Sequence, residues 1–268
     1  FVREKWLNLN GLWDYAIAPK TAPQPAKFDG QILVPFAVES ALSGVGRSFT
    51  PKDRLWYRRT FSLPKDWVDN RVLLHFGAVD YECVLSINGG IVGAHKGGSD
   101  AFTFDISEFL KAGENEIGLA VTDPTDTGEQ PRGKQQLDPK GIWYTPVSGI
   151  WQTVWLEPVP KEDYLAEIHF TPDVANKRLL VTPLLNTATA HDDLAVRIVA
   201  SAKGKNVGST VVRVNREGIL NLADVQLWSP ESPFLYDLTA ELVKVKAPYE
   251  NRTEGKNRSK LPSYGEQE

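Results

Sequence analysis

The sequence predicts an all-β protein built from two β-sandwich domains. Short segments of alternating apolar and polar residues recur about every ten residues, and Gly, Pro, Asn or Asp bounds most of them. Strands at this spacing without intervening helices are typical of sandwiches and barrels. A charged break with two prolines, LEPVPKEDY (156–164), separates two such series. We therefore expect a first domain over residues 1–159, a second over 160–246 and a flexible tail over 247–268.

The first domain contains six clear strand candidates. They cover residues 11–18, 54–63, 71–79, 81–88, 115–122 and 150–159. The strict alternation after Arg54 predicts that Leu55 and Tyr57 share a face. Asn88 and Gly89 can adopt the positive φ angles of a tight turn, which predicts a hairpin. The segment DISEFLKAG (105–113) is the only helix-like stretch and predicts about two turns.

The second domain repeats the two-residue period in four further segments. They are YLAEIHFTPD, RLLVTPLLN, DLAVRIVASAKG and FLYDLTAELVK. A block of this size suggests an immunoglobulin-like sandwich, although the chain has a single cysteine, Cys83, and therefore no internal disulfide. Cys83 is expected to be a small core residue. The segment LWSPESPFLYDL (227–238) is expected to bend through Pro230 and Pro233 into a core strand.

Composition and charge argue against several functional classes. The net charge of −4 and the pI near 5.7 disfavour a nucleic-acid partner. No apolar run approaches the roughly 18 residues that a membrane-spanning helix needs. The four histidines are scattered singly, so we expect no metal site and no cofactor. The N-terminal segment does not resemble a signal peptide. We expect a periplasmic or secreted location if a leader was removed, and a cytoplasmic one otherwise.

Several motifs resemble the N-terminal region of glycoside hydrolase family 2, in the same order. LNGLWDY (9–15), LWYRRTF (55–61) and FDISEFLKAGENEIGLAV (104–121) resemble the family's jelly-roll (galactose-binding-like) domain. SGIWQTVWLEPV (148–159) resembles that domain's closing strand. LWSPESPFLYDL resembles the end of the immunoglobulin-like domain that follows it. The resemblance covers nearly all of the chain outside the tail.

The resemblance also implies what this chain lacks. Family members continue into a (β/α)8 barrel that carries two catalytic glutamates, and retaining glycosidases need that pair about 5 Å apart. The resemblance implies that the chain stops before such a barrel and before the last strand of the second sandwich, and we expect no catalytic residue in it. Asn115-Glu116 imitates the dipeptide of the family's acid/base, but it lies in a turn that leads into a strand. We interpret it as structural.

Three residues are candidates for contacting substrate. In the family, the polar loop before the closing strand reaches the sugar, and relatives place an acidic residue five positions before the small residue of the Gly-Ile motif. Trp143 occupies that position here, five before Ser148, and Asp138 is the nearest acid. The second family loop that reaches the barrel corresponds to residues 39–53 and contains Arg47, whose guanidinium suits a carboxylate or ring hydroxyls. For each residue the competing interpretation is an ordinary position on a surface loop.

The tryptophans of the closing segment suggest a different role. Trp151 and Trp155 lie four residues apart on a predicted strand and should share a face, which favours burial in the sandwich core. Trp143 ends a polar loop and should be largely exposed. The sequence therefore predicts different environments for the two Gly-Ile-Trp triplets.

Two functions from different classes remain open at this stage. The first is the non-catalytic front of a family 2 exo-glycosidase, with β-galactosidase as the favoured type. Its partners would be a β-linked carbohydrate and the catalytic barrel of the same protein. The alternative is a freestanding carbohydrate-binding or adhesive β-sandwich, because a fold alone does not fix function. A freestanding second domain should complete its sheet, whereas a partial one leaves an unpaired edge.

Overall fold

A computed structural model describes residues 2–187 and 192–246 of the chain. It divides into two compact units, Phe1–Lys161 and Glu162–Glu268. The predicted tail over 247–268, and with it the question of a further strand in the second domain, lies outside the described residues. In the described ranges, no helix has the length and apolar content needed to cross a membrane.

The first unit consists of antiparallel sheets that form a sandwich. One sheet has the order β1-β12-β5-β9, a larger one has the order β3-β2-β4-β10-β7-β8, and β11 pairs with β6. The strands are β1 (Leu7–Asn8), β2 (Gly11–Pro19), β3 (Gly30–Val34), β4 (Asp53–Ser62), β5 (Arg71–Phe76), β6 (Val79–Asp80), β7 (Glu82–Ile87), β8 (Gly90–Lys96), β9 (Phe102–Asp105), β10 (Glu114–Thr122), β11 (Gly149–Ile150) and β12 (Val154–Val159). The all-β prediction is confirmed.

The core of the first unit follows the two-residue period of its strands. Leu55 and Tyr57 of β4 point inward and are fully buried, as the alternation predicted. Trp13 packs edge-on against Tyr57 with ring centroids 6.3 Å apart, and its indole N–H donates to the Leu9 carbonyl at 2.8 Å. Burying large aromatic side chains with satisfied polar atoms stabilises the unit strongly. Cys83 is a buried core residue, as expected.

The closing segment differs from the predicted continuous strand. It breaks into β11 and β12, with residues 151–153 between them outside any strand. The buried face is formed by Ile150, Val154 and Leu156, whereas Trp151 and Trp155 are only part-buried. The prediction of two core tryptophans was wrong, because the inward-facing positions of this broken segment are taken by Ile150, Val154 and Leu156. The Trp155 ring instead stacks on His75 of β5 with ring centroids 4.8 Å apart, and the Trp151 indole N–H donates to the Gly98 carbonyl.

The predicted two-turn helix is a single 3-10 turn, Ser107–Phe109. Asp105 accepts the Ser107 backbone N–H at 3.0 Å just before this turn. Leu110 is already extended, so the helix ends after one turn. Two further 3-10 turns, Ala41–Ser43 and Lys65–Trp67, interrupt the loops around β4. The predicted hairpin is confirmed, with Asn88 and Gly89 at positive φ.

The second unit is a smaller sandwich of two three-stranded sheets. Their orders are β13-β14-β17 and β16-β15-β18. The strands are β13 (Leu165–Asp173), β14 (Arg178–Leu185), β15 (Leu194–Ala202), β16 (Lys205–Arg213), β17 (Gly218–Asn221) and β18 (Asp237–Lys244). The sequence predicted four of these six segments and missed β16 and β17. Val181, Val196, Ile198, Val212 and Leu220 lie in its core.

The segment that leads into β18 does not become a core strand. Leu242 and Val243 are part-buried, and the other residues of β18 are exposed. Because β18 is an edge strand of its sheet within the described residues, one of its sides has no neighbouring strand there. Before it, Ser229 and Ser232 bridge around Pro230 in the bend that the sequence predicted.

Candidate functional site

Two long loops of the first unit contain the candidate substrate residues. Residues 35–52 lead from β3 into β4, and residues 123–148 lead from β10 into β11. Long loops on a rigid sandwich are the usual location of binding residues. The two loops meet at Ser148, the residue before β11.

Ser148 joins the loops through three hydrogen bonds. Its backbone N–H donates to Glu39 Oε2 at 3.0 Å, and its hydroxyl donates to Asp123 Oδ2 at 2.7 Å. Its carbonyl accepts the Val38 N–H at 3.4 Å. Ser148 is fully buried, so these bonds are shielded from water. One small residue therefore ties the base of both loops to the sandwich.

The carboxyl groups around this junction are unusually hard to ionise. Burial raises the pKa of Glu39 to about 7, and burial together with the nearby Asp123 charge raises the pKa of Asp80 to about 7. Burial also raises the pKa of Asp123 itself. The second Glu39 oxygen, Oε1, is buried without a hydrogen-bond partner among the described residues. Protonation of this group near neutral pH relieves the cost of a buried charge.

The loop 123–148 is ordered by its own side chains. Asp123 Oδ1 accepts the Thr125 backbone N–H at 2.6 Å, which closes an Asx-type turn at the start of the loop. Further along, Gln135 Oε1 accepts the Val147 N–H at 2.6 Å, and its amide donates to Asp80 Oδ2 at 3.4 Å. These contacts hold both ends of the loop against the sandwich and leave the middle to project outward.

The tip of this loop presents two of the predicted site residues. Asp138 pairs with Lys140 at 2.8 Å, and the Asp138 side chain is 81% exposed. The Trp143 backbone N–H donates to the Lys140 carbonyl at 3.3 Å, so Asp138 and Trp143 flank one turn. Trp143 is 37% exposed, and its neighbours Ile142 and Tyr144 are each 66% exposed. An exposed aromatic cluster beside a carboxylate can stack on a sugar ring and accept its hydroxyl protons.

Arg47 is not brought to this tip. Its backbone N–H donates to the Val38 carbonyl at 3.1 Å, which anchors it near the Ser148 junction. Its side chain is half-exposed and lies 3.7 Å from Asp29. No described contact joins it to Asp138 or Trp143. The three candidates thus divide into a tip pair and a separate arginine.

The Asn115-Glu116 dipeptide has a structural role. The Asn115 amide oxygen accepts the Lys111 N–H at 2.9 Å and an Asn88 amide N–H at 2.8 Å. Its amide group donates to the carbonyls of Lys111 and Gly113, each at 3.1 Å. Asn115 is buried and its side chain closes the turn into β10, as the sequence suggested. Within residues 2–187 and 192–246, no group of His, Cys, Asp or Glu side chains is arranged to hold a metal.

Sequence reasoning missed the buried acids that support the loops. Asp123-Pro124-Thr125 carries a usable signal, because Asp before a turn commonly caps the backbone two residues on. Glu39 and Asp80 gave no such signal, since their roles depend on partners 109 residues away in the first case and 55 in the second. Long-range pairs of this kind have no local pattern.

Comparison with protein families matches both units. Residues 32–160 match the model of "Glycosyl hydrolases family 2, sugar binding domain", and residues 164–254 match that of "Glycosyl hydrolases family 2". A putative β-glucuronidase of Formosa agariphila is 30% identical over 198 residues, covering 70% of this chain and 23% of that protein. A β-galactosidase of Thermoanaerobacter pseudethanolicus is 26% identical over 208 residues, covering 74% of this chain and 27% of that protein.

Solved structures show the same fold. The β-glucuronidase of Lactobacillus rhamnosus superimposes with a TM-score of 0.71 at 23% identity, covering 91% of this chain and 43% of that one. The chain therefore spans about a quarter of the length of the two relatives above and less than half of the solved enzyme. The two matched regions lie in the order that the motifs predicted. The chain belongs to glycoside hydrolase family 2 and corresponds to the family's sugar-binding and immunoglobulin-like domains.

Proposed function

We propose that this chain is the non-catalytic N-terminal region of a retaining exo-glycosidase and helps to shape its substrate site. The observation that carries the proposal is the tip of the loop 123–148. An exposed tryptophan and an exposed carboxylate flank one turn there, and the loop's ends are fixed by buried hydrogen bonds. A site residue on a loop is useful only if the loop holds its position, because misplacement weakens binding and orientation.

Each tip residue has a chemically defined task in this proposal. Trp143 offers a flat apolar surface for one face of a sugar ring, and Asp138 accepts hydrogen bonds from its hydroxyl groups. Arg47, on the other loop, offers a cation for a carboxylate or hydroxyl of the substrate if it leaves Asp29. None of the three performs bond cleavage, which requires a carboxyl pair supplied from outside these two domains.

The substrate is proposed to be a β-linked glycoside. The relatives are named either β-galactosidase or β-glucuronidase, and the preference for a β-galactoside remains a prediction from the sequence. A glucuronide carries a carboxylate that a galactoside lacks. Arg47 is therefore the residue whose replacement separates the two: Arg47→Gln should affect hydrolysis of a glucuronide far more than of a galactoside.

The test uses this chain and the complete product of its gene. The chain alone should release no nitrophenol from nitrophenyl β-galactoside or β-glucuronide above a buffer blank. The complete product should hydrolyse one of them, and Trp143→Ala should then reduce kcat/KM while leaving the fold intact. Turnover by the rigorously purified chain would contradict the non-catalytic assignment. Unchanged kinetics in Trp143→Ala would remove the tip from the substrate site.

The second candidate function is a freestanding carbohydrate-binding protein. The exposed aromatic cluster at the tip would serve such a protein equally well. The two candidates differ in where sugar binding is found. A freestanding binder must bind sugar through the tip in this chain alone, so that Trp143→Ala abolishes the binding. The glycosidase front needs the tip only in the complete product.

A further inference from the structure

The outer face of the six-stranded sheet carries a trough that the loops do not explain. Its cavity volume is about 490 Å3. The lining includes Trp56 and Arg54 of β4, Gly118 and Ala120 of β10, and Glu82 of β7. All of them point away from the core, because the alternate residues of the same strands fill it. The volume lies within the range of about 300–1,000 Å3 that is typical of small-molecule sites.

Cross-strand pairing gives the trough a small-residue floor beside one aromatic wall. Trp56 pairs with Ala16 on one side and Ala120 on the other. Ala120 in turn pairs with Val84, and the next position along β10 on this face is Gly118. The residues that flank Trp56 are therefore small, and the Trp56 side chain beside them is part-buried. Aromatic side chains that line a concave site are typical of sites for flat, partly apolar ligands.

The rim of the trough is polar and carries both charges. The Arg54 guanidinium carbon lies 5.6 Å from the Trp56 ring centroid, which orients the indole. Lys20, Gln24 and Glu82 also line the trough. Mixed donors and acceptors of this kind suit a ligand rich in hydroxyl groups. They do not suit a nucleic acid, which needs a uniformly basic surface.

The indole N–H of Trp56 differs from those of other tryptophans in the first unit. Its N–H is buried and has no hydrogen-bond acceptor among the described residues. Buried donors in folded proteins are almost always paired, so an unpaired one calls for an explanation. Trp13 and Trp151 of the same unit both donate to backbone carbonyls, at 2.8 Å and 2.7 Å. Of these three tryptophans, the one without an acceptor for its indole N–H is therefore Trp56, which lines the cavity.

We propose that this trough binds a saccharide of one or two pyranose rings, with one ring against Trp56. The ring hydroxyls meet Arg54, Gln24 and Glu82 on the rim, and the floor of Gly118 and Ala120 lets the sugar approach the sheet. This site is separate from the tip of the loop 123–148 in sequence and in lining residues. It would let the domain hold a carbohydrate chain independently of any catalytic step.

The first experiment follows the indole N–H resonances of the 268-residue chain by NMR. The chain has eight tryptophans, and a Trp56→Phe variant identifies the resonance of Trp56 by its disappearance. Lactose serves as the neutral probe and methyl β-glucuronide as the carboxylated one. We expect a saturable shift of the Trp56 resonance with at least one of them. The proposal is overturned if neither probe shifts it at 50 mM, or if only Trp143 responds.

Two variants test the trough by opposite changes. Trp56→Ala removes the wall, and Ala94→Arg places a long side chain into the trough from an exposed position on β8. Each should weaken sugar binding about tenfold or more, the loss expected for a stacking contact of about 1.4 kcal/mol. Ala94→Arg keeps the test valid if Trp56→Ala fails to fold. Unchanged affinity in a folded form of either variant contradicts the proposal.

The control is an exposed tryptophan in the other unit. Trp228 is 59% exposed, so Trp228→Ala should leave both the Trp56 shift and the affinity unchanged. Trp143→Ala distinguishes this inference from the proposed function. Loss of binding in Trp143→Ala with normal binding in Trp56→Ala places the sugar at the loop and refutes the trough. Loss in Trp56→Ala alone supports the trough and leaves the loop proposal to the complete enzyme.

Discussion

The triplet Gly-Ile-Trp occurs at residues 141–143 and again at 149–151, and the two copies have different surroundings. Ile142 is 66% exposed, whereas Ile150 is completely buried. The Trp143 indole is at the loop tip, whereas the Trp151 indole donates to the Gly98 carbonyl at 2.7 Å. Both triplets begin with a glycine at positive φ, +61° and +85°. The same tripeptide therefore faces solvent in one copy and anchors the closing strand in the other.

The difference arises from the partners of each copy and not from the triplet. The Ile150 N–H donates to the Tyr57 hydroxyl at 3.1 Å, and Gly149 pairs with Asp80 of β6. Tyr57 is 93 residues away in sequence, so its contribution has no local signature. Gly141 has nothing within 4 Å of the position where a Cβ would lie. Long-range pairing decides which copy is structural.

The largest expected effect comes from adding one methyl group to each glycine. A Cβ at Gly149 would collide with the Tyr57 hydroxyl oxygen and approach Leu55 Cδ2 at 2.9 Å. Gly149→Ala combines this overpacking with left-handed backbone strain, so it should destabilise the first unit by about 4 kcal/mol. Gly141→Ala meets open space and should cost about 1 kcal/mol of strain. Urea unfolding of both variants measures the difference, and equal costs would refute the contrast.

The tryptophans should differ in the same direction by a smaller amount. Trp151 is part-buried with a satisfied indole, so Trp151→Ala should cost about 2–3 kcal/mol, below the 3–5 kcal/mol of a fully buried aromatic. Trp143→Ala should cost about 1 kcal/mol or less, as is usual for surface changes. The same urea experiment compares them. Equal destabilisation by the two variants would make Trp143 a core residue and end its assignment to the substrate site.

The sequence predicted the fold more successfully than it predicted the faces of individual side chains. Strands with strict alternation, such as β4, were correctly located because their period alone fixes which residues are buried. The closing strand was misjudged, since the break at residues 151–153 depends on contacts with β5 and β6. The exposed tip was expected from a run of Gly, Pro and polar residues. The acids beneath it were not, because each depends on a distant partner.

The buried acids make the stability of the first unit depend on pH. In the unfolded chain Glu39 loses its proton near pH 4.5, but in the folded unit it keeps the proton until about pH 7. The folded state therefore binds more protons in this window, and stability falls as the pH rises from 4.5 to 7. The expected loss from Glu39 is on the order of 2 kcal/mol, and Asp80, whose pKa is also raised to about 7, adds to it in the same direction. Urea unfolding at pH 5.0 and pH 7.5 measures it.

A neutral isostere isolates the contribution of this group. Glu39→Gln keeps an oxygen for the Ser148 N–H and removes the ionisable group, so it should reduce the decline to the part contributed by Asp80 and stabilise the unit at pH 7.5 relative to the parent chain. Glu114→Gln, at the exposed first residue of β10, is the matched control and should leave the slope unchanged. An undiminished slope in Glu39→Gln would mean that Glu39 is not the source of the pH dependence.

The smallest effect on stability is expected at Asp138, which lies in the exposed loop tip beside the first Gly-Ile-Trp triplet. Its ion pair with Lys140 is exposed on both sides, and such pairs contribute about 0–1 kcal/mol. Asp138→Asn should therefore change the unfolding free energy by about 0.5 kcal/mol or less. Under the proposed function, the same change in the complete gene product should raise KM about tenfold, because a hydrogen bond to a charged acceptor contributes about 1.5–3 kcal/mol. Glu129→Gln, exposed in the same loop, is the control and should alter neither quantity.

A normal KM in Asp138→Asn combined with a raised KM in Trp143→Ala would leave stacking on Trp143 as the tip's contribution to binding. Normal values in both would place the sugar elsewhere, since two residues that flank one ordered turn cannot both contact a substrate and both be dispensable.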